Sequence, residues 1–259
     1  MGLKELARGD CSWYVCSYMA VTVNKITKNL TRIRRDIFDA CQRTGRSPEV
    51  VEVVAVTKSV DVATIKNCMK AGLTNLGESR PQQLAERFSQ IDEYAYARRK
   101  TDPISVKWHM VGHLQRNKVK QTLVAADVIH SVDSLRLAEE ISQRAEADER
   151  VVDVMLQVNC SQEDQKFGCA VGAATHLGEM ICSMRSVKLT GLMTMGPSNG
   201  DPERTRRTFI RLREIFEEMK HDKIGGDSFA QLSMGMSGDY VIAVEEGATI
   251  VRIGTALFE

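Results

Sequence analysis

Apolar positions along the chain keep changing spacing. Val23, Ile26, Leu30, Ile33, Ile37 and Ala40 recur at helical intervals, and Gly45 and Pro48 close the segment, which predicts one amphipathic helix over Val23 to Arg43. Next comes VEVVAVTK (51–58), a β-branched run of the kind buried on both faces, followed by a helical stretch from Asp61 to Ala71 that Gly72 ends. The alternation repeats with TNLGE (74–78) and a helix over 81–90, VKWHMVG (106–112) and 116–125, DVIHSVD (127–133) and 134–147. It continues with DVMLQVN (153–159) and 172–183, KLTGLMTM (188–195) and 202–220, FAQLSMG (229–235) and 238–247, and ends on TIVRIG (249–254). Eight strand-like runs joined by helices close into a barrel, so the pattern predicts an α/β fold, a single (β/α)8 TIM barrel with a leading N-terminal helix. A doubly wound open sheet is the lesser alternative. The polar stretch 91–105 either lengthens a helix or forms a surface loop.

Composition narrows the classes. At 259 residues the chain suits one α/β barrel, and 43% hydrophobic with 27% charged residues is enough apolar material for a sizeable core. Lys plus Arg number 35 against 34 Asp plus Glu, a balance that offers no footprint for nucleic acid or an anionic membrane. The seven cysteines, Cys11, Cys16, Cys41, Cys68, Cys160, Cys169 and Cys182, are odd in number and lack a CxxC pair. That argues against a disulfide framework or structural zinc, and for a reducing cytoplasm with the thiols as buried filler. The apolar segment CSWYVCSYMA (11–20) is too short to span a bilayer, so residues 1–18 are expected to be an unordered extension ahead of a barrel over 19–259.

In a barrel of this kind the working face lies at the carboxyl ends of the strands. Lys58 stands at such an end behind Val53, Val54, Ala55 and Val56, where an apolar rim would desolvate its amine and free it as a nucleophile towards a carbonyl. Position alone equally allows a lysine that caps the strand and points to water. Ser233 to Gly238 (SMGMSG, with Met236 and Ser237) precedes a helix, and Gly254-Thr255 follows the last strand, so backbone N–H groups and hydroxyls there could converge on a phosphate. Glycine and serine also make ordinary strand-to-helix turns; their place after strands seven and eight favours the cradle. Arg252, inside VRIG with Val251 and Ile253 facing the helices, needs a negative group or a ring heteroatom such as a pyridine nitrogen. A nitrogen held unprotonated by an always-charged arginine is a poor electron sink. His109 and His113 are four apart, a helical spacing within a strand-like run, so a metal pair is not expected; His113, at the run's end, is a pocket candidate. The charge-rich helix 203–220 reads as a solvated outer face.

At these strand ends the blocks AVTK (55–58), NLGESR (75–80), WHMVGHLQRNK (108–118), IHSVDS (129–134), LQVN (156–159), GLMTM (191–195), QLSMGMSGD (231–239) and VRIGTALF (251–258) stand in order. In them the chain resembles the pyridoxal phosphate homeostasis proteins (the YggS/PROSC family), which are built like the amino-terminal barrel of alanine racemase. The resemblance implies pyridoxal 5′-phosphate (PLP) held as a Schiff base on Lys58, with Arg252 facing the pyridine nitrogen and Ser233, Ser237, Gly254 and Thr255 cradling the phosphate. Ser79 stands where many members carry asparagine and Arg80 where tyrosine is frequent, which puts a side-chain contact from Ser79 in doubt. Lys166-Phe167-Gly168 is similar to the family's loop ending in Lys-x-Gly. Alanine racemase adds a β-domain with a second acid/base tyrosine, and this chain stops after its eighth strand-like run. The resemblance therefore implies a monomeric, cytoplasmic carrier of PLP without demanding turnover, with apoenzymes that need the cofactor as recipients. A PLP-dependent amino-acid racemase is the alternative, and an imine-forming barrel enzyme acting on another phosphorylated metabolite is a third reading.

Overall fold

The computed structural model describes residues 20–101, 103–198 and 200–259. The extension expected over 1–18, with Cys11 and Cys16, lies outside them. Eight parallel strands close in chain order: β1 (Glu52–Val56), β2 (Asn75–Glu78), β3 (Lys107–Met110), β4 (Val128–Val132), β5 (Val152–Gln157), β6 (Val187–Met193), β7 (Gln231–Ser233) and β8 (Ile250–Ile253). The closing pair sets Val54 opposite Arg252. The (β/α)8 expectation therefore holds and the open sheet does not form. Helices α1 (Val23–Thr44), α2 (Val62–Lys70), α3 (Pro81–Arg98), α4 (Val119–Leu123), α5 (Leu135–Ala147), α6 (Ala174–Cys182), α7 (Pro202–His221), α8 (Tyr240–Glu245) and α9 (Thr255–Phe258) surround the barrel.

Two apolar layers hold it. The larger is the sleeve between strands and helices, where Leu76, Ile129, Leu192 and Ile253 meet Leu84, Ile141 and Leu212. The smaller, Val54, Val128, Met155, Met193 and Ile250, fills the barrel interior. Alternation along each strand sends side chains to these two faces in turn.

Helix α1 buries Ile26, Leu30, Ile33, Ile37, Ala40 and Cys41 along one stripe. The Thr22 hydroxyl accepts from the Lys25 N–H at its start. At its end Gly45 turns at φ +66°, a left-handed conformation cheap only for glycine. The helix lies against α8, α9 and α2. Past its end, Arg46 donates to the carbonyls of Val244, Gly247 and Ala248.

Several boundaries moved. Helix α3 runs on to Arg98 because Leu84 and Ile91 stay buried on one stripe, which resolves most of the 91–105 stretch as helix. The helix expected over 116–125 opens as a 3-10 turn (Arg116–Lys118) and is α-helical only from Val119 to Leu123. Cys41, Cys68, Cys160 and Cys169 are buried, whereas Cys182 is exposed. Burial pushes the Cys68 and Cys169 thiols up to about 12 and that of Cys160 to about 11. Opposite charges on α7 pair within the helix (Arg211 with Glu214) and across to the residue that caps α8, where Arg206 and Arg213 both meet Glu246. No described helix is long and apolar enough to cross a membrane.

Candidate functional site at the carboxyl end of the barrel

A cleft of about 490 Å³ opens at the carboxyl ends of the strands and takes in Lys58, Ser79, His113, Met236, Ser237, Arg252, Gly254 and Thr255. A second cavity of about 450 Å³ lies at the opposite end, between α1 and the first residues of β1 and β2, and contains no lysine. In this architecture the chemistry gathers at the carboxyl end, so the first cleft is the candidate site.

Lys58 follows Thr57, whose N–H donates to the Gly77 carbonyl at 2.9 Å and extends the β1–β2 ladder by one residue. The turn it occupies is clamped from outside. Arg87 of α3 donates to the Thr57 carbonyl and to the Val60 carbonyl, each at 2.6 Å, and pairs with the buried carboxylate of Glu78. The Thr57 hydroxyl donates to the same carboxylate. The backbone on both sides of Lys58 is therefore fixed while its side chain is exposed. Of the two readings that position allowed, an amine desolvated by the apolar rim and one that points to water, the exposed side chain matches the second.

Arg252 is the reverse case. It points into the barrel and is 4% exposed, and its hydrogen bonds among the described residues go to neutral acceptors: Ser233 Oγ at 2.6 Å and the Thr194 carbonyl at 2.9 Å. Burial pulls its pKa down to about 10, opposed by the negative charge of Asp239, so it remains a cation at neutral pH. Ser233 differs from its expected role. It is fully buried beneath the cleft, and its hydroxyl meets Arg252 on one side and His130 on the other, so it supports the arginine and does not line the cradle.

The two turns expected to hold a phosphate do come together. Ser237 Oγ accepts from the N–H groups of Gly254 and Ala256 at 3.2 and 3.1 Å. A neutral hydroxyl thus takes donors that an oxyanion would accept from more strongly. Gly235 is required for the turn: at φ +93° its missing Cβ would lie 2.6 Å from the Ala243 Cβ. Asp239 braces the turn by accepting from the Met236 N–H at 2.5 Å. On the opposite wall, a Cβ on Gly112 would sit 2.2 Å from the Ser79 carbonyl oxygen, so only glycine lets these two loops touch.

His113 stacks on Phe167, with ring centroids 3.7 Å apart and planes at 11°, and its Nδ1 lies 3.5 Å from Asp133 Oδ2. His109 instead points into the barrel and bonds to His130, so the two histidines of WHMVGH do not converge. Among the described residues no group of three or more His, Cys, Asp or Glu is placed to hold a metal. Ser59, Gln157, Met193 and Met195 also line the cleft and were not singled out from sequence. The LQVN and GLMTM blocks carried the signal for all of these but Ser59. Gln157 holds the Phe167 carbonyl at 2.9 Å, and Lys166 pairs with Glu163 at 2.6 Å and donates to the Gly196 carbonyl. The Lys-x-Gly loop is thereby tied to the β6–α7 loop across the mouth.

A barrel with this arrangement is the amino-terminal barrel of alanine racemase in type: residues 28–259 match the family model described as alanine racemase, N-terminal domain. Within that class the chain belongs to the pyridoxal phosphate homeostasis proteins, being 36% identical over 231 residues (89% of this chain, 96% of the relative) to the pyridoxal phosphate homeostasis protein of Aquifex aeolicus. Among solved structures, a protein of unknown function from Bifidobacterium adolescentis superposes with a TM-score of 0.85 at 36% identity, over 91% of this chain and 95% of its own. PipY of Synechococcus elongatus, in its structure with PLP bound, superposes with a TM-score of 0.76 at 28% identity, covering 90% of this chain and 100% of its own.

Proposed function

We propose that this chain binds PLP in the cleft at the carboxyl end of the barrel, with Lys58 as the attachment amine, and acts in PLP homeostasis. The observation that carries the reading is the meeting, on adjacent strands of one cleft, of an exposed lysine held on a clamped backbone and a buried arginine whose hydrogen bonds among the described residues go to neutral acceptors. Other features support it. The turns at Ser237 and Gly254 present N–H groups now satisfied by a neutral hydroxyl, which suits a phosphate. The bound PLP of the PipY structure and the name carried by the Aquifex relative point the same way.

When bound, PLP supplies a reactive aldehyde and a pyridine ring that can accept electron density. The protein's own groups decide how far that is used. Lys58 would provide the amine, and Ser237, Gly254 and Thr255 would orient the phosphate end. Arg252, a cation at neutral pH, would stand towards the ring nitrogen and, because its positive charge repels a second one, would discourage protonation of that nitrogen. The cleft is therefore built for holding more than for carbanion chemistry. A monomeric carrier in the cytoplasm, delivering to apoenzymes that use the cofactor, is the role we assign.

The test is the absorbance spectrum of wild type and Lys58→Ala after incubation with PLP, desalting and borohydride reduction. We expect a visible band that survives desalting in wild type alone, with the reduced adduct mapped to the peptide carrying Lys58. A colourless, unmodified wild type overturns the reading.

A further inference from the structure

Five side chains form one hydrogen-bonded line through the barrel interior. Starting at the cleft, Arg252 Nη1 donates to Ser233 Oγ at 2.6 Å, and Ser233 Oγ meets His130 Nδ1 at 2.8 Å. His130 Nε2 meets His109 Nδ1 at 2.9 Å, and His109 Nε2 meets Asn75 Oδ1 at 3.3 Å. Ser233, His109 and His130 are fully buried, and Asn75 borders the cavity at the opposite end of the barrel.

Hydrogen-bond bookkeeping fixes the direction of every link. A guanidinium only donates, so Ser233 Oγ accepts from Arg252. The serine has one proton and, among the described residues, one partner apart from Arg252, namely His130, so it must donate to Nδ1 of that ring. His130 is then protonated on Nε2 and donates to His109 Nδ1. His109 in turn is protonated on Nε2 and donates to the Asn75 carbonyl oxygen. Reversing any link would leave a buried serine proton without an acceptor, a costly arrangement in an interior. Both rings must also be neutral, since an imidazolium has no acceptor nitrogen. Burial supports this: it pulls His109 down to about 3 and His130 well below its ordinary value, with the Lys107 and Arg252 charges adding to the effect on His130.

We propose that Ser233, His130 and His109 are positioning residues: a one-way hydrogen-bond chain anchored on Asn75 that holds the Arg252 guanidinium in one orientation towards the cleft through neutral partners, without neutralising it. The proposal rests on the reading that PLP occupies the cleft. A carboxylate in the place of Ser233 would orient the arginine equally well but would also cancel its charge. A hydroxyl backed by two neutral rings orients it and leaves the charge for the cofactor.

The deciding experiment is long-range ¹H–¹⁵N correlation NMR of the histidine rings in wild-type protein without and with PLP, assigned through His109→Gln and His130→Gln. Without PLP, both rings should appear as neutral Nε2–H tautomers at pH 7 and remain so at pH 5. Adding PLP should shift the His130 resonances, because the group that Arg252 faces has changed. An Nδ1–H tautomer or a charged ring at either position overturns the chain. So do His130 resonances that stay in place while the absorbance spectrum shows PLP bound. If the spectrum shows no binding at all, the cofactor reading fails, and the tautomers still decide the direction of the chain. Ser233→Ala should weaken the Kd for PLP about tenfold, as expected for one lost hydrogen bond to a charged group, and should shift the bound cofactor's absorbance, with Ser233→Thr restoring both. Unchanged Kd and absorbance in Ser233→Ala would overturn the positioning role.

Discussion

The sleeve between strands and helices and the interior of the barrel are both buried, yet they are built on different terms. The sleeve is a single large apolar cluster around the ring, with a few buried threonines such as Thr64, Thr122 and Thr208 on its helices. The interior has a thin layer of five apolar residues and, alongside it, a stack of a cationic arginine, a serine and two histidines. Burial of apolar area drives the fold and asks for little directionality. Polar groups out of water contribute little net stability, but each partner must sit where it does, so they specify orientation. The sleeve thus holds the barrel together, while the interior holds the cleft in shape at some cost in stability.

That contrast can be broken or sharpened by mutation. The largest effect belongs to the sleeve: Leu212→Ala, at a fully buried position on α7, should cost about 2–5 kcal/mol in urea unfolding. The Kd for PLP of the protein that remains folded should stay at the wild-type value. A cost below about 1 kcal/mol would mean that the sleeve is not the main source of stability.

A middle-sized effect comes from pH. The folded pKa of His109 is held near 3 while that of the unfolded chain is 6.5, so between these values the unfolded chain binds a proton that the folded chain refuses. Stability is therefore full above about pH 6.5 and is lost as the pH falls towards 3, by at most about 1.4 kcal/mol per pH unit for one such ring. His109→Gln should flatten the stability profile between pH 6.5 and 5 by up to that slope. Parallel profiles for the two proteins would show that His109 is not held neutral.

The smallest effect on stability, and the most telling, is expected at the interior. Arg252→Met removes a buried cation whose hydrogen bonds among the described residues go to neutral acceptors, and apolar replacements of buried charges are often neutral or stabilising. Its Tm should match or exceed that of wild type, within about 1 kcal/mol in free energy, while PLP binding weakens. A large drop in Tm with binding intact would reverse the assignment of the two regions.

The sequence carried much of this. Helical and β-branched periodicities set the order of elements, because a sleeve that must be apolar writes its period directly into the chain. Strand ends could be located to within a few residues, which was enough to bring Lys58, Arg252, Ser237 and Gly254 to one face. Pairings between distant residues could not be read, since partner choice depends on register and loop path. Arg87 clamping the Lys58 turn from α3, Gln157 holding the Phe167 loop, and the line from Arg252 to Asn75 all join residues far apart in the chain. Ser233 shows the limit most clearly. Its neighbourhood suggested a phosphate ligand, yet strand alternation turned it inward, onto Arg252 and His130. By itself the sequence determined the (β/α)8 architecture, the face on which the site lies and the chemical kinds of residue found there, because those follow from local periodicity and composition. Only the tertiary structure decided which side chains reach the cleft and which stand behind it, because closing the barrel puts alternate residues of one strand on opposite sides of the wall.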